Sequence, residues 1–126
     1  MPLNFIIEGK IIGLNEYTDA CRAHARKGAT LKREEQDAIS WKILSHRNRS
    51  PLPASEYPCK VSFHWIEKNG KRDLDNVCFG QKLILDSLVS LGILKDDGQK
   101  YIKQLIHEFS VDPKNPRIEI TISPLE

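Results

Sequence analysis

Lys71-Arg-Asp-Leu-Asp-Asn76 sets two carboxylates, Asp73 and Asp75, two residues apart beside the cations Lys68, Lys71 and Arg72. A second acidic pair, Asp96-Asp97, follows about twenty residues later. Two carboxylates at about 4 Å repel by roughly 4 kcal/mol at an effective dielectric near 20. A chain that gathers them has a use for a divalent cation, and the flanking lysines and arginine suit a phosphate-rich substrate. In an extended segment, side chains at i and i+2 point the same way. Asp73 and Asp75 can then face one ion together, with Leu74 turned into the core. Oxygen-only ligation favours a hard, partly hydrated ion: magnesium, or manganese in its place. Asp96 or Asp97 can complete the set. Only one of them does, because consecutive residues of an extended chain point oppositely.

Other chemistries fit less well. A calcium loop of the EF-hand type needs an acid or amide at position 77 and glycine at 78; the chain has Val77 and Cys78. An aspartyl-phosphate enzyme wants threonine or a similar residue where Val77 stands. There is no glycine-rich phosphate loop, and no Ser/His or Cys/His pair has a supporting context. Each acidic group also has a plain structural use. Asp75 or Asn76 can cap a helix, Lys82 and Asp86 can form a surface i,i+4 pair, and Asp96-Asp97-Gly98 can form a tight turn. Their joint presence beside a basic run favours a site.

At 126 residues, 40% of them hydrophobic, the chain is expected to form one domain with a real core. A net charge of +2 points to no partner class. Local charge is more informative. Between Arg22 and Arg49 stand eight Lys or Arg (22, 26, 27, 32, 33, 42, 47, 49) against three acids, which reads as a solvated face or a phosphate-contacting surface. Cys21, Cys59 and Cys78 form neither a zinc pattern nor a disulfide framework. No signal peptide or membrane-spanning stretch is visible. The expected location is cytoplasmic.

These residues need elements to hold them. Leu3–Ile12 reads as a strand ended by Gly13. Residues 14–28 read as a loop with a short helix at most. Thr30 caps a helix from Leu31 to about Arg47, with Ala38, Trp41 and Leu44 as its buried stripe. A second strand starts at Cys59, and Asn69-Gly70 turns the chain. Arg72–Asp75 returns extended. A helix follows over Val77–Leu91, buried through Ile84, Leu85, Leu88 and Leu91, with Gly92 in the position of a C-terminal glycine. Lys100–Val111 and Arg117–Ser123 read as strands, paired as a hairpin around Asp112-Pro-Lys-Asn-Pro116. The order β-α-β-α-β-β is that of an α+β fold, a mixed sheet with helices packed on one face.

Arg72-Asp-Leu-Asp-Asn76, the Lys82/Asp86 pair and Leu94-Lys-Asp-Asp-Gly-Gln99 together resemble the RusA family of Holliday junction resolvases. Leu14-Asn15-Glu-Tyr17 is similar to an early Asn/Tyr loop of that family. The resemblance implies a RusA-like fold and a homodimeric, magnesium-dependent endodeoxyribonuclease selective for four-way DNA junctions, active in recombination and repair and common in phages and prophages. It implies Asp73, Asp75 and Asp97 as metal ligands and Lys82 as the catalytic lysine that offsets charge on the phosphate. Lys68, Lys71, Arg72 and Asn15 are then expected against DNA near the cut, with Arg22, Arg26, Lys27 and Lys32 further out. Asp86 is either a partner that orients Lys82 or a structural group. The chain carries three more residues between Asn76 and Lys82 than the family pattern, a shift of about 4–5 Å along a helix. The alternatives are a less selective flap or fork nuclease, an inactive nucleic-acid-binding module, and a protein-interaction domain whose acids only cap helices.

Overall fold

The computed structural model describes residues 3–46 and 49–125. A four-stranded mixed sheet forms its base. β1 (Leu3–Glu8), β2 (Cys59–Glu67), β3 (Ile102–Val111) and β4 (Arg117–Pro124) lie in the order β1-β4-β2-β3. β4 is antiparallel to both β1 and β2, and β2 is parallel to β3. Helices α1 (Leu14–Ala23) and α2 (Ala25–His46) join β1 to β2, through a short 3-10 turn at Ala54–Glu56. Helices α3 (Leu74–Cys78) and α4 (Gly80–Ser90) join β2 to β3.

Period-2 alternation decides the layers. Phe5 and Ile7, Val61, Phe63 and Trp65, and Ile118, Ile120 and Ile122 are all buried on one face. Ile39 and Ile43 of α2 and Leu83, Ile84 and Leu88 of α4 complete that core. The opposite face carries Asn4, Ser62, His64, Glu119 and Thr121, with Thr121 Oγ1 donating to Asn4 Oδ1 at 2.8 Å. The α+β class and the single helix-covered face agree with the expectation from sequence.

Several boundaries differ. β1 stops at Glu8 rather than running to Ile12. Residues 14–28 are helical apart from the extended His24, not a loop, and α2 begins at Ala25 with Thr30 inside it. Its expected end near Arg47 lies outside the described residues. The buried stripe of α2 is Ile39 and Ile43, with the expected Leu44 packed partly buried against the core, while Trp41 is 76% exposed. Both stripes satisfy helical spacing, so side-chain size alone did not select the right one. The expected hairpin is absent: β4 passes over β2 and inserts between β1 and β2. Three isoleucines at alternate positions suit β4 to the sheet interior. β3, with Lys103, Gln104, Glu108 and Ser110, suits an edge.

Candidate active site

β2 delivers the chain to the acidic motif through one ion pair. Glu67, its last residue, receives the guanidinium of Arg72 in a fork: Nε donates to Oε1 at 2.8 Å and Nη2 to Oε2 at 3.0 Å. Nη1 donates to the carbonyl of Ile11 at 3.1 Å and lies 3.8 Å from Glu16 Oε1. Both members of the fork are largely buried, with side chains 17% and 16% exposed. Arg72, expected against phosphate, is thus already held by protein acceptors on several sides.

Asp73 is the N-cap of α3, in extended conformation. Aspartate at this position usually accepts from the first backbone N–H groups. Here its side chain makes no capping hydrogen bond, and the exposed carboxylate stays available. Asp75 falls in the first helical turn, not in an extended segment, and its Oδ1 accepts the N–H of Asn76 at 3.0 Å. Leu74, expected in the core, is 57% exposed. These are consequences of one change: the helix begins at Leu74, so residue alternation gives way to a helical turn.

Asn76 is buried and caps a different helix. Its Oδ1 accepts the N–H of Asn15 at 2.8 Å, in the first turn of α1. A helix N-terminus leaves four N–H groups without internal partners, and Asn76 supplies one partner from across the fold. The Gly13 N–H donates to Glu16 Oε1 at 3.4 Å at the same end. Gly13 is needed for this closeness: a Cβ there would overlap Asn76 Oδ1 and stand 2.9 Å from Arg72 Nη1. Asn15, expected to touch DNA, has an exposed side chain, and its backbone ties α1 to the acidic motif.

The expected single helix over 77–91 is broken at Phe79, where α3 ends and α4 begins. The longer spacing between Asn76 and Lys82 spans this break. Phe79 stacks on Tyr17 of α1, with ring centroids 5.3 Å apart. At the far end of α4 the chain reverses through Gly92 (φ 78°), with Ile93 N–H donating to Leu88 O at 3.0 Å. A left-handed residue in this position is the usual glycine stop. The reversal brings Asp97 back to α4. Lys82 Nζ lies 3.1 Å from Asp86 Oδ1 and 3.9 Å from Asp97 Oδ2. Its hydrogen bond to Asp86, then the charges of Asp86 and Asp97, push the Lys82 amine above its ordinary value. Asp96 takes the other role, its Oδ1 accepting the Asp97 N–H at 2.9 Å.

Lys82 and Asp97 are therefore brought together. The full acidic set is not gathered: among the described residues, no group of three His, Cys, Asp or Glu side chains is placed to hold a metal ion. Asp73 and Asp75 sit on the first turn of α3, and Asp97 faces an ammonium. In donor type and exposure the three carboxylates suit a hard cation.

The expected DNA contacts spread over several surfaces. Lys68 lines a cavity of about 220 Å³ together with Lys10, Asn69 and Arg72. Lys71 is exposed, with its backbone N–H on Asn69 Oδ1 at 3.0 Å. Arg22 lies in the last turn of α1. Arg26 and Lys27 line a cleft at the start of α2, whereas Lys32 lines a different one with Tyr17 and Arg33.

Two groups escaped sequence reading. Glu67 looked like the end of a strand, and only its placement five residues before Arg72 hinted at the fork. His107 sits between Phe63 and Phe109, accepts from Trp65 Nε1 at Nδ1 (2.9 Å) and meets Gln81 Oε1 at Nε2 (2.9 Å). Burial pushes this imidazole below its ordinary value. Its neutral form, protonated at Nε2, satisfies both bonds. It links β3 and β2 to Gln81, the residue before Lys82.

No helix among the described residues is long and apolar enough to cross a membrane. The chain matches the family model described as Endodeoxyribonuclease RusA over residues 13–123. No curated protein matches it.

Proposed function

We infer residue roles from one premise: this chain belongs to the RusA family of Holliday junction endodeoxyribonucleases. It is a junction-resolving nuclease that acts on DNA. We propose that Asp73, Asp75 and Asp97 bind Mg²⁺, or Mn²⁺ in its place, with Asp97 exchanging its contact to Lys82 for the ion. When bound, the ion would supply Lewis-acid polarisation of a phosphoryl oxygen and a more acidic water. Lys82 remains protonated, since its neighbouring acids favour the charged form. It faces charge that builds on the phosphate in the transition state. Asp86, at 3.1 Å, aims that ammonium. The observation that carries these roles is the meeting of Lys82 with Asp97 across the Gly92 reversal.

Lys68 and Lys71 hold backbone phosphates beside the cut. Arg22, Arg26, Lys27, Lys32 and the exposed Asn15 side chain offer further contacts on the surfaces that carry them. Such contacts position DNA without reading its sequence and weaken steeply with salt. Arg72 acts inside the protein and holds the motif in place. The whole chain works as one nuclease domain. Two copies related by a two-fold axis match the two equivalent strands that a junction offers for paired cuts.

The deciding experiment incubates the chain with a labelled immobile four-way junction, a flap and a linear duplex, with magnesium or with EDTA. Symmetric nicks confined to the junction and dependent on magnesium are expected. Equal cutting of flaps would favour the broader structure-specific nuclease, and cutting unaffected by EDTA would remove the metal from the proposal.

A further inference from the structure

The turn that carries Asp97 borders a second feature that the nuclease roles leave unused. Tyr57 and Tyr101 meet edge to face, with ring centroids 5.3 Å apart and planes inclined by 75°. They line an open cavity of about 340 Å³ with the buried Leu52 and Ile93 at its base. Tyr57 Oη accepts the N–H of Lys95 at 2.9 Å, so this ring is fixed to the turn two residues before Asp97. The Lys95 and Lys100 ammonium groups, on exposed side chains, lie over the Tyr101 ring, 5.9 and 5.6 Å from its centroid. No acid lines the cavity, and neither lysine is paired with a carboxylate among the described residues.

We propose that this cavity receives an unpaired nucleobase of the DNA substrate, stacked on Tyr101 as Lys95 and Lys100 swing off the ring onto the flanking phosphates. The choice of ligand rests on the nuclease reading above. An aromatic face with adjacent cations is the arrangement that holds single-stranded nucleic acid without sequence preference, because every base has a π-face. Two unpaired cations beside an acid-free apolar cavity complement an apolar base on an anionic backbone. A base inside a duplex is already stacked on both sides and cannot enter. A base at a branch point can, so the cavity favours DNA whose stacking is interrupted next to the cutting turn.

The test titrates wild type, Tyr101→Ala and Tyr101→Phe with a fluorescein-labelled oligo-dT 12-mer and with a four-way junction, both in EDTA. Tyr101→Ala is expected to weaken oligo-dT binding about tenfold, whereas Tyr101→Phe stays within about twofold of wild type. A Lys95→Gln/Lys100→Gln double variant changes only exposed positions. It is expected to flatten the slope of log K against log salt by about 1.4 on oligo-dT, and it decides the matter if Tyr101→Ala does not fold. The proposal is overturned if wild type does not bind oligo-dT. It is also overturned if Tyr101→Ala binds both DNAs like wild type, or if the double variant keeps the full salt slope. Junction cleavage by wild type in magnesium is run beside it. Cleavage without a Tyr101 effect defeats the base pocket alone; a Tyr101 effect without cleavage defeats the nuclease roles alone.

Discussion

Changing Glu67 to Gln removes one charge from the Arg72 fork while keeping its shape. The two contacts are 2.8 and 3.0 Å long, and the partners are 17% and 16% exposed. Exposed ion pairs contribute about 0.2–1 kcal/mol. Breaking a fully buried pair costs about 3–5 kcal/mol, because a charge is left without a partner. One-sixth exposure places this pair between those limits, at about 2–3 kcal/mol. Unfolding entropy of roughly 2.1 cal/mol/K per residue gives about 0.26 kcal/mol/K for this chain. The melting temperature of Glu67→Gln should therefore fall by about 8–11 °C. The fork also holds the turn that carries Asp73. Well below the new melting point, junction cleavage should drop by more than junction affinity does. Circular dichroism melts, fluorescence anisotropy in EDTA and gel-based cleavage in magnesium measure the three quantities. Arg72→Gln sharpens the result. If the guanidinium is internal scaffolding, this change costs stability and leaves the salt dependence of binding nearly intact. A variant that melts like wild type while the slope of log K against log salt becomes shallower by about 0.9 would make Arg72 a phosphate contact and refute the scaffold.

Further outcomes can be checked on the same footing. Asp73→Asn and Asp75→Asn should each abolish cleavage with folding and junction binding largely retained; magnesium-dependent cutting by both would sink their assignment. Lys82→Ala should lower single-turnover rate by more than it lowers affinity, and an equal loss in both would make Lys82 a binding residue. Asn76→Ala removes the acceptor on the Asn15 N–H and should cost about 1 kcal/mol, read by urea denaturation, with an unchanged midpoint counting against the cap. Burial holds His107 below its ordinary value, so between its folded value and about 6.5 the unfolded chain binds more protons. This residue's share of stability is thus complete above about pH 6.5 and is lost as pH falls through the folded value. Wild type should lose stability faster than His107→Gln from pH 7 to pH 5, and identical pH dependence in the two would show that the ring does not titrate in this way.

Much of the site was legible because its signals are local. The sequence Arg72-Asp-Leu-Asp-Asn76, the Lys82/Asp86 spacing and the glycine after α4 depend on neighbours within a turn or two. Helix α4 and the strands followed from periodicity. What failed depended on partners far along the chain. The helical start at Leu74 turned an expected pair of same-facing acids into two different positions of a cap. The sequence offers Asp75 or Asn76 as a cap for the following helix, yet the Asn76 acceptor serves Asn15, 61 residues earlier. Arg72 reads as a phosphate contact from sequence because nothing local announces that Glu67, Ile11 and Glu16 surround it. The place of β4 inside the sheet is likewise a choice among strand partners that adjacency in sequence does not make.

The interruption at Phe79 divides the proposed site between two foundations. The acids at 73 and 75 stand on a five-residue helix secured to α1 and to the end of β2, whereas Lys82 stands on α4, rooted in the core through Leu83, Ile84 and Leu88. Damage to α1 can therefore tilt one half of the apparatus while the other keeps its alignment. A variant of that kind would still fold and still hold DNA, yet stall before the strand breaks.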